Sequence, residues 1–301
     1  MPAHTSSILF IPAPSPHPGE PGTIQGILEQ LEPERPAQDR KLALVSTLQQ
    51  LCVNNLSTAR NKDHLFLKQL ASTLSMDTFR FDFRGYFESP GIWRQNKMEE
   101  DVLDLRVITD YLKTHFGYQI DLVIGHSRGA VLAVRWLCTS EDGKKVSGFV
   151  IVSATYRMKA KSQTSKIVQK FMADKGFHLL NRRTFTHTFK EKLYREDFVD
   201  YAAFDNSLVD YLFPQTIDVL IIQGLKDEGV SVYNAVLYAK ALSKRSPGTC
   251  SLHLMEHADH TYTGQYAEVV QAIVDWWDSH SKGRLSTGIW MGPERQMKGK
   301  L

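Results

Sequence analysis

Eight short apolar runs rich in β-branched residues recur along this chain, and segments with helical periodicity separate most of them. The runs cover residues 7–11, 23–28, 41–46, 78–83, 120–125, 146–153, 218–223 and 250–256. Strands that alternate with helices favour a mostly parallel sheet with helices on both faces. We therefore predict an α/β fold with a mostly parallel eight-stranded sheet.

The length of 301 residues, 42% of them hydrophobic, fits one large domain with a full core. We divide it into an N-terminal segment with the first strand (1–22), a main domain (23–280) and a basic tail (281–301). Residues 156–215 interrupt the alternation, are rich in Lys, Arg, Phe and Tyr, and read mainly as short helices. We interpret them as a helical cap inserted over the sheet.

One amphipathic helix is expected over residues 97–116, between the fourth and fifth strands. Its apolar residues recur every three to four positions, and they are Met98, Val102, Leu105, Ile108 and Leu112. This pattern places four charged side chains toward water, namely Asp101, Asp104, Arg106 and Lys113.

Charge and cysteine content restrict the partners and the compartment. The formal charge of +3 comes from Lys and Arg scattered along the chain, so we expect no nucleic-acid partner. No apolar window approaches the ~18 residues of a membrane helix, and the start lacks a basic leader, so we expect no integral membrane association. Three cysteines far apart fit neither a disulfide framework nor a metal site. We predict a cytoplasmic location.

The fifth run leads directly into Gly125-His126-Ser127-Arg128-Gly129, and a helix follows at once. This is G-x-S-x-G in a strand, turn and helix, the setting that gives the pattern its meaning. Gly125 and Gly129 leave room for strand and helix to pack closely around the turn. The pattern predicts a nucleophile elbow with Ser127 at the C-terminal edge of the sheet.

A serine hydroxyl becomes a nucleophile when a base takes its proton and a carboxylate orients that base. Asp227 and Glu228 follow the seventh run, and His257, Asp259 and His260 follow the eighth. An acid and a base thus occur in the order serine, acid, histidine. His126, inside the elbow, is interpreted as a packing or hydrogen-bonding residue.

Four segments in the same order resemble the α/β-hydrolase family, in its branch of serine aminopeptidase-like hydrolases, cinnamoyl or feruloyl esterases and monoacylglycerol lipase-like enzymes. They are FDFRGYFESPG at 81–91, GHSRGA at 125–130, GLKDEGV at 224–230 and ADH at 258–260. The resemblance covers roughly residues 23–279.

The resemblance implies a triad of Ser127 as nucleophile, Asp227 as acid and His260 as base. It further implies hydrolysis of a small-molecule carboxylic ester, or less often an amide or thioester, through an acyl-enzyme. No metal or organic cofactor is implied. The N–H of Arg128 would be one oxyanion donor, and the loop after the third strand would supply the second.

That loop departs from the family pattern, since no glycine occurs from Val45 to Met76. We assign the second donor to the backbone of Ser46 or Thr47. Three explanations stay open for residues 45–60: a working but altered oxyanion hole, loss of catalysis, or a mistranslated or mis-spliced segment. Phe87 is a further departure, at a position where the family has glycine.

Two other functional classes therefore stay open. One is a catalytically impaired relative that binds a small molecule or a protein partner. The other is a cofactor-free lyase or transferase that uses the same triad, since a fold does not determine the reaction.

Overall fold

The computed structural model describes residues 5–14, 19, 22–34, 36, 40–48, 61–63, 66–91, 94, 96–158, 176–183 and 188–293. Its strands are β1 (Thr5–Pro12), β2 (Thr23–Gln30), β3 (Lys41–Leu48), β4 (Asp77–Asp82), β5 (Gln119–Ser127), β6 (Gly148–Val152), β7 (Phe177–Arg183), β8 (Thr188–Tyr194), β9 (Asp218–Gly224), β10 (Cys250–Met255) and β11 (Gly288–Ile289). Its helices are α1 (Leu67–Thr73), α2 (Met98–Phe116), α3 (Arg128–Thr139), α4 (Arg195–Ala203), α5 (Leu208–Tyr211), α6 (Tyr233–Leu242) and α7 (Tyr266–Ser281).

The main sheet has the strand order β1-β2-β4-β3-β5-β6-β9-β10-β11. β2 pairs antiparallel with both β1 and β4, and the other neighbours pair parallel. The predicted α/β fold with a mostly parallel sheet is therefore confirmed, and each of the eight predicted runs forms a strand. β5 lies between β3 and β6, so the end of β5 is surrounded by other strand ends.

A ninth strand of the main sheet lies in the segment that we predicted to be a basic tail (281–301). Gly288 and Ile289 pair parallel with Ser251 and Leu252 of β10. The next residue, Trp290, is buried, and its N–H donates to the carbonyl of Leu252. The buried Trp290 side chain and the backbone pairing with β10 hold this short strand at the edge of the sheet, and the polar composition around it gave no sign of this.

The sheet separates two hydrophobic cores. One core lies against α2, α3 and α6, and the other lies against α1 and α7. Successive residues of β5 alternate between them, since Val123 belongs to the first core and Leu122 and Ile124 to the second. This alternation explains why the strand is apolar throughout.

Two aspartates on α2 were predicted to face water, and this was wrong. Asp101 is 5% exposed and pairs with Arg128, whereas Asp104 is 1% exposed and pairs with Arg84. The spacing of apolar residues locates the stripe that faces the core. It does not reveal that arginines from other elements lie beside the acidic positions.

The described part of the cap contains a β-hairpin as well as the expected short helices. β7 and β8 form a separate antiparallel sheet of two strands, and α4 and α5 follow. We had predicted a cap made mainly of short helices, and its described part contains this pair of strands in addition. The aromatic and basic residues of this segment fit strands as well as short helices, so composition did not separate the two.

Candidate active site

Ser127 lies at the sharp turn between β5 and α3, as the predicted elbow requires. It is the last residue of β5 and the N-cap of α3, with φ 56° and ψ −123°. A non-glycine residue rarely adopts a positive φ, and such strain is concentrated at functional sites. Ser127 is 1% exposed.

The two glycines of the elbow are required by close approach of the backbone. A Cβ on Gly125 would lie 2.5 Å from Cα of Ala130, and one on Gly129 would lie 3.0 Å from the carbonyl oxygen of Ser46. The first contact is impossible without moving α3, and the second would push α3 away from β3. Both glycines therefore hold the helix close to the sheet.

His260 connects Ser127 to Asp227. It lies between β10 and α7, with Nε2 3.1 Å from Oγ of Ser127 and Nδ1 2.9 Å from Oδ2 of Asp227. A carboxylate can only accept, so Nδ1 carries the proton and Nε2 accepts from the serine hydroxyl. The three side chains form one chain of hydrogen bonds, with the imidazole ready to take the serine proton.

Asp227 is held in place by its own loop. Its Oδ1 accepts from the N–H groups of Gly229 and Val230 at 2.8 and 2.7 Å, and its Oδ2 accepts from Nε2 of Gln223 at 3.0 Å. Burial by itself raises the pKa of Asp227, but the hydrogen bonds, above all from His260, outweigh it and lower the pKa. The carboxylate therefore stays ionised and can orient the imidazole.

The other candidate acids and bases lie elsewhere. His257 and Glu228 are exposed. Asp259 accepts hydrogen bonds from the backbone N–H groups of Thr261 and Thr263, so it stabilises its own turn. The structure thus brings His260 and Asp227 to Ser127.

His126 is buried behind the elbow and is hydrogen-bonded to the backbone of His260. Its Nε2 lies 2.9 Å from the carbonyl oxygen of His260, to which it donates. The two rings lie 5.1 Å apart, and the His126 ring also packs edge-on against Phe66 and Tyr262. This agrees with its interpretation as a hydrogen-bonding residue.

Sequence reasoning missed three residues beside Asp227. Gln223 donates to its carboxylate, and Ser153 contributes to the lowered pKa of Asp227. Oγ of Ser153 lies 2.7 Å from the hydroxyl of Tyr262, and both residues have positive φ, 48° and 55°. Ser153 directly follows β6, and this place at a strand end was the only signal in the sequence.

The two proposed oxyanion donors differ in their surroundings. Arg128 is the first residue of α3, where backbone N–H groups have no partner within the helix. Ser46 instead lies inside β3, paired with Gly125 on one side and Phe81 on the other. β3 continues to Leu48, where Thr47 and Leu48 pair with His126 and Ser127. The end of β3 is therefore closer to Ser127 than Ser46 is, and residues 49–60 lie outside the described part of the chain.

The segment at residues 81–91 forms a tightly anchored loop after β4. Asp82 accepts from the N–H and Nζ of Lys62, at 2.8 and 3.0 Å, and Glu88 pairs with the same buried ammonium. Phe87 adopts φ 46°, a left-handed conformation that glycine adopts without strain. Phe87 thus has a backbone conformation that favours glycine, the residue type that the resemblance leads us to expect at this position.

Within the residues that the structure describes, no cluster of His, Cys, Asp and Glu could hold a metal ion. No helix in this part of the chain has the length and apolar character needed to cross a membrane.

The strand order, the elbow and the serine–histidine–aspartate chain define an α/β-hydrolase. Residues 60–210 match the family model described as serine aminopeptidase, S33. The match covers half of the chain, and the chain belongs to this family.

Solved structures with the same fold cover nearly the whole chain. Est1E from Butyrivibrio proteoclasticus with bound ferulic acid is 17% identical, with a TM-score of 0.68, and the match covers 91% of this chain and 99% of that one. A putative hydrolase from Agrobacterium vitis S4 is 17% identical, with a TM-score of 0.64, covering 90% and 98%. A Pyrococcus furiosus esterase is 14% identical, with a TM-score of 0.59, covering 91% of each chain. A search of curated proteins found no match.

Proposed function

We propose that this protein is a serine hydrolase that cleaves a small-molecule carboxylic ester through an acyl-enzyme. The observation that carries the proposal is the continuous chain of hydrogen bonds from Ser127 through His260 to Asp227 at a strained elbow. The esterases among the structures of the same fold, and ferulic acid bound to one of them, support an ester over an amide or thioester.

The first half of the reaction forms an ester on Ser127. As Oγ attacks the substrate carbonyl carbon, its proton passes to Nε2 of His260, and Asp227 stabilises the imidazolium that forms. His260 then returns the proton to the leaving alcohol as the bond to the acyl carbon breaks.

The second half repeats these proton transfers with water. His260 takes a proton from water as the water oxygen attacks the acyl carbon. The acid product leaves when the bond to Oγ breaks and the proton returns to Ser127. The residues in this scheme need no metal or organic cofactor.

Both tetrahedral intermediates carry an oxyanion that needs donors placed in advance. We assign the first donor to the N–H of Arg128, and each such donor contributes about 10²–10³ in rate. Ser46 is a poor second donor because it has paired residues on both sides of β3, Phe81 and Gly125, whereas Thr47 is paired with His126 on the β5 side. We therefore favour Thr47, next along β3, over Ser46.

A fluorophosphonate probe and p-nitrophenyl butyrate test the proposal together. We expect the wild-type protein to be labelled and to hydrolyse the ester, and Ser127→Ala to lose labelling and at least about 10³-fold in activity. Ser231→Ala, which changes a serine in the loop after Asp227, is the matched control and keeps both. Labelling that survives in Ser127→Ala contradicts the proposal.

The second candidate is a catalytically impaired relative that binds a ligand with the same pocket. The lack of glycine after β3 favours it, since glycine eases the close approach that an oxyanion loop needs. An intact, folded wild type that neither reacts with the probe nor cleaves p-nitrophenyl esters of any chain length would establish this candidate.

The cytoplasmic location remains a prediction, for which fluorescence microscopy of the tagged protein is the test.

A further inference from the structure

The first turn of α3 has no side-chain cap. The Ser127 hydroxyl, at the N-cap, is hydrogen-bonded to His260 instead, and the first turn contains no acidic residue. A helix start that lacks a side-chain cap holds the N–H groups of its first turn less firmly. In the proposed mechanism one of these N–H groups, that of Arg128, must stay aimed at the oxyanion.

The Arg128 side chain is fixed from two sides. It is fully buried at 0% exposure, Nε lies 3.1 Å from Oδ2 of Asp101 on α2, and its Nη2 bonds the same oxygen. The ring of Tyr201, on cap helix α4, lies 5.8 Å from the centre of the guanidinium. A buried, paired guanidinium is unavailable to substrate, so its effect must pass through the backbone that carries it.

The same arrangement recurs two turns later on α3. Arg135 lies seven residues beyond Arg128 and therefore on the same helix face. Its Nη2 lies 2.7 Å from Oε1 of Glu99 on α2, and its guanidinium lies 4.6 Å from the ring of Phe204 beside α4. Two arginines thus join α3 to α2 and to the cap, but only Arg128 is next to the nucleophile.

We propose that Arg128 is a positioning residue, whose side chain, held by Asp101 and Tyr201, fixes the first turn of α3 and couples the docking of the cap to the oxyanion donor. The inference rests on the proposed hydrolase function. It assigns to the cap an effect on the chemical step in addition to any effect on substrate access.

The test compares two double variants, each of which removes one arginine and its acidic partner from α3 and α2. Arg128→Met with Asp101→Leu replaces the buried ion pair by apolar side chains, an exchange that stability often tolerates. Arg135→Met with Glu99→Gln is the matched control. Both remove one contact with the cap, and only the first is at the elbow.

We expect kcat for p-nitrophenyl butyrate to fall at least about tenfold in the Arg128 variant with KM nearly unchanged, since a misaligned oxyanion donor loses part of its 10²–10³ contribution. A trifluoromethyl ketone, whose hemiketal adduct with Oγ of Ser127 places an oxyanion in the same hole, should lose affinity by a similar factor. In the control variant, kcat for the same ester should stay within about twofold of the wild-type value. Equal kcat values in the two variants, or a loss confined to KM, overturn the proposal.

Two single exchanges keep the test decisive if the double variant does not fold. Arg128→Lys retains the charge but loses the planar fork, and we expect a smaller fall in kcat that Arg135→Lys does not show. Tyr201→Leu should lower kcat more than Phe204→Leu does. If wild type is inactive, the proposed function fails. If wild type is active and the paired variants agree in kcat, only the positioning role fails.

Discussion

Two histidine–aspartate pairs lie near opposite ends of the same strand, β9. Near its C-terminal end, Nδ1 of His260 lies 2.9 Å from Oδ2 of Asp227, and at its start Nδ1 of His280 lies 2.8 Å from Oδ2 of Asp218. The hydrogen bonds match closely. In both pairs burial alone raises the pKa of the aspartate, and hydrogen bonds led by the histidine lower it overall.

The two pairs differ in the second contact that each imidazole makes. His260 presents Nε2 to Ser127, whereas the ring of His280 stacks on Trp277 with centroids 4.4 Å apart. The carboxyl ends of parallel strands gather the loops where ligands bind, and of the two aspartates Asp227 lies beyond that end of β9 whereas Asp218 lies at its start. An aspartate–histidine pair is therefore a structural element unless the topology also brings a nucleophile next to the histidine.

Exchange of each histidine gives the largest expected contrast. His260→Ala should lower kcat/KM for p-nitrophenyl butyrate by at least about 10³-fold, because no base then takes the Ser127 proton. His280→Ala should stay within about threefold of wild type, since it removes stacking and one hydrogen bond far from the chemistry. Steady-state kinetics measure both, and a similar loss in the two variants would contradict the distinction.

Exchange of each aspartate should distinguish a role in orienting its histidine from a role in stabilising the fold. Asp227→Asn should lower kcat about 10³–10⁴-fold, because the amide no longer imposes the tautomer with the proton on Nδ1. Asp218→Asn should leave kcat near the wild-type value and lower the free energy of unfolding in urea. If Asp227→Asn changes only stability, the assigned role of Asp227 is wrong.

The neutral donors to the two carboxylates provide a subtler contrast. Gln223→Leu removes the amide that donates to Asp227, and we expect a fall of about tenfold in kcat/KM, equivalent to one hydrogen bond to a charged group. Thr249→Val removes the hydroxyl that donates to Asp218 at 2.8 Å, and kcat/KM should not change. Thermal unfolding of both variants checks that each remains folded at the assay temperature.

The smallest effect is the pH dependence of stability at the remote pair. Because the pKa of Asp218 is lowered in the folded protein, its ionised form contributes stability above its unfolded pKa of about 3.9, and this is lost as pH falls through the folded pKa. We expect Asp218→Asn to cost about 1 kcal/mol at pH 7, discounted for partial exposure, and almost nothing near pH 2.

Urea unfolding at several pH values measures this difference, and the same exchange in a His280→Gln background isolates the carboxylate from its titratable partner. Asp278→Asn, an exposed aspartate on the same helix as His280, is the control. A cost for Asp218→Asn that grows as the pH falls would contradict the lowered pKa.

Local patterns along the chain predicted much of the fold. The apolar runs located eight strands, because a strand buried on both faces must be apolar regardless of what covers it. The ninth strand depends on the burial of Trp290 against β10, a contact between distant residues that no local pattern contains. The hairpin in the cap was missed since its aromatic and basic residues fit short helices as well as strands.

In the candidate site, too, some residues were predictable from the sequence and others were not. Motif order and strand ends narrowed the acid and the base to two loops, and the family resemblance selected Asp227 and His260. The structure places His260 within hydrogen-bond distance of both Ser127 and Asp227. Gln223, Ser153 and Tyr262 were not selected, because their contacts with this group depend on the packing of three segments that are far apart in the sequence.

What the sequence determined by itself is the alternation of strands and helices, the turn at Ser127 and the residue types available at the strand ends. These follow from local sterics and burial periodicity, which neighbouring residues decide. Only the tertiary structure decided that His260 meets a serine while His280 meets a tryptophan, and that Asp101 meets Arg128 rather than water. Such pairings depend on which distant elements the topology brings together, and charge–charge contacts in a buried site have no periodic signature along the chain.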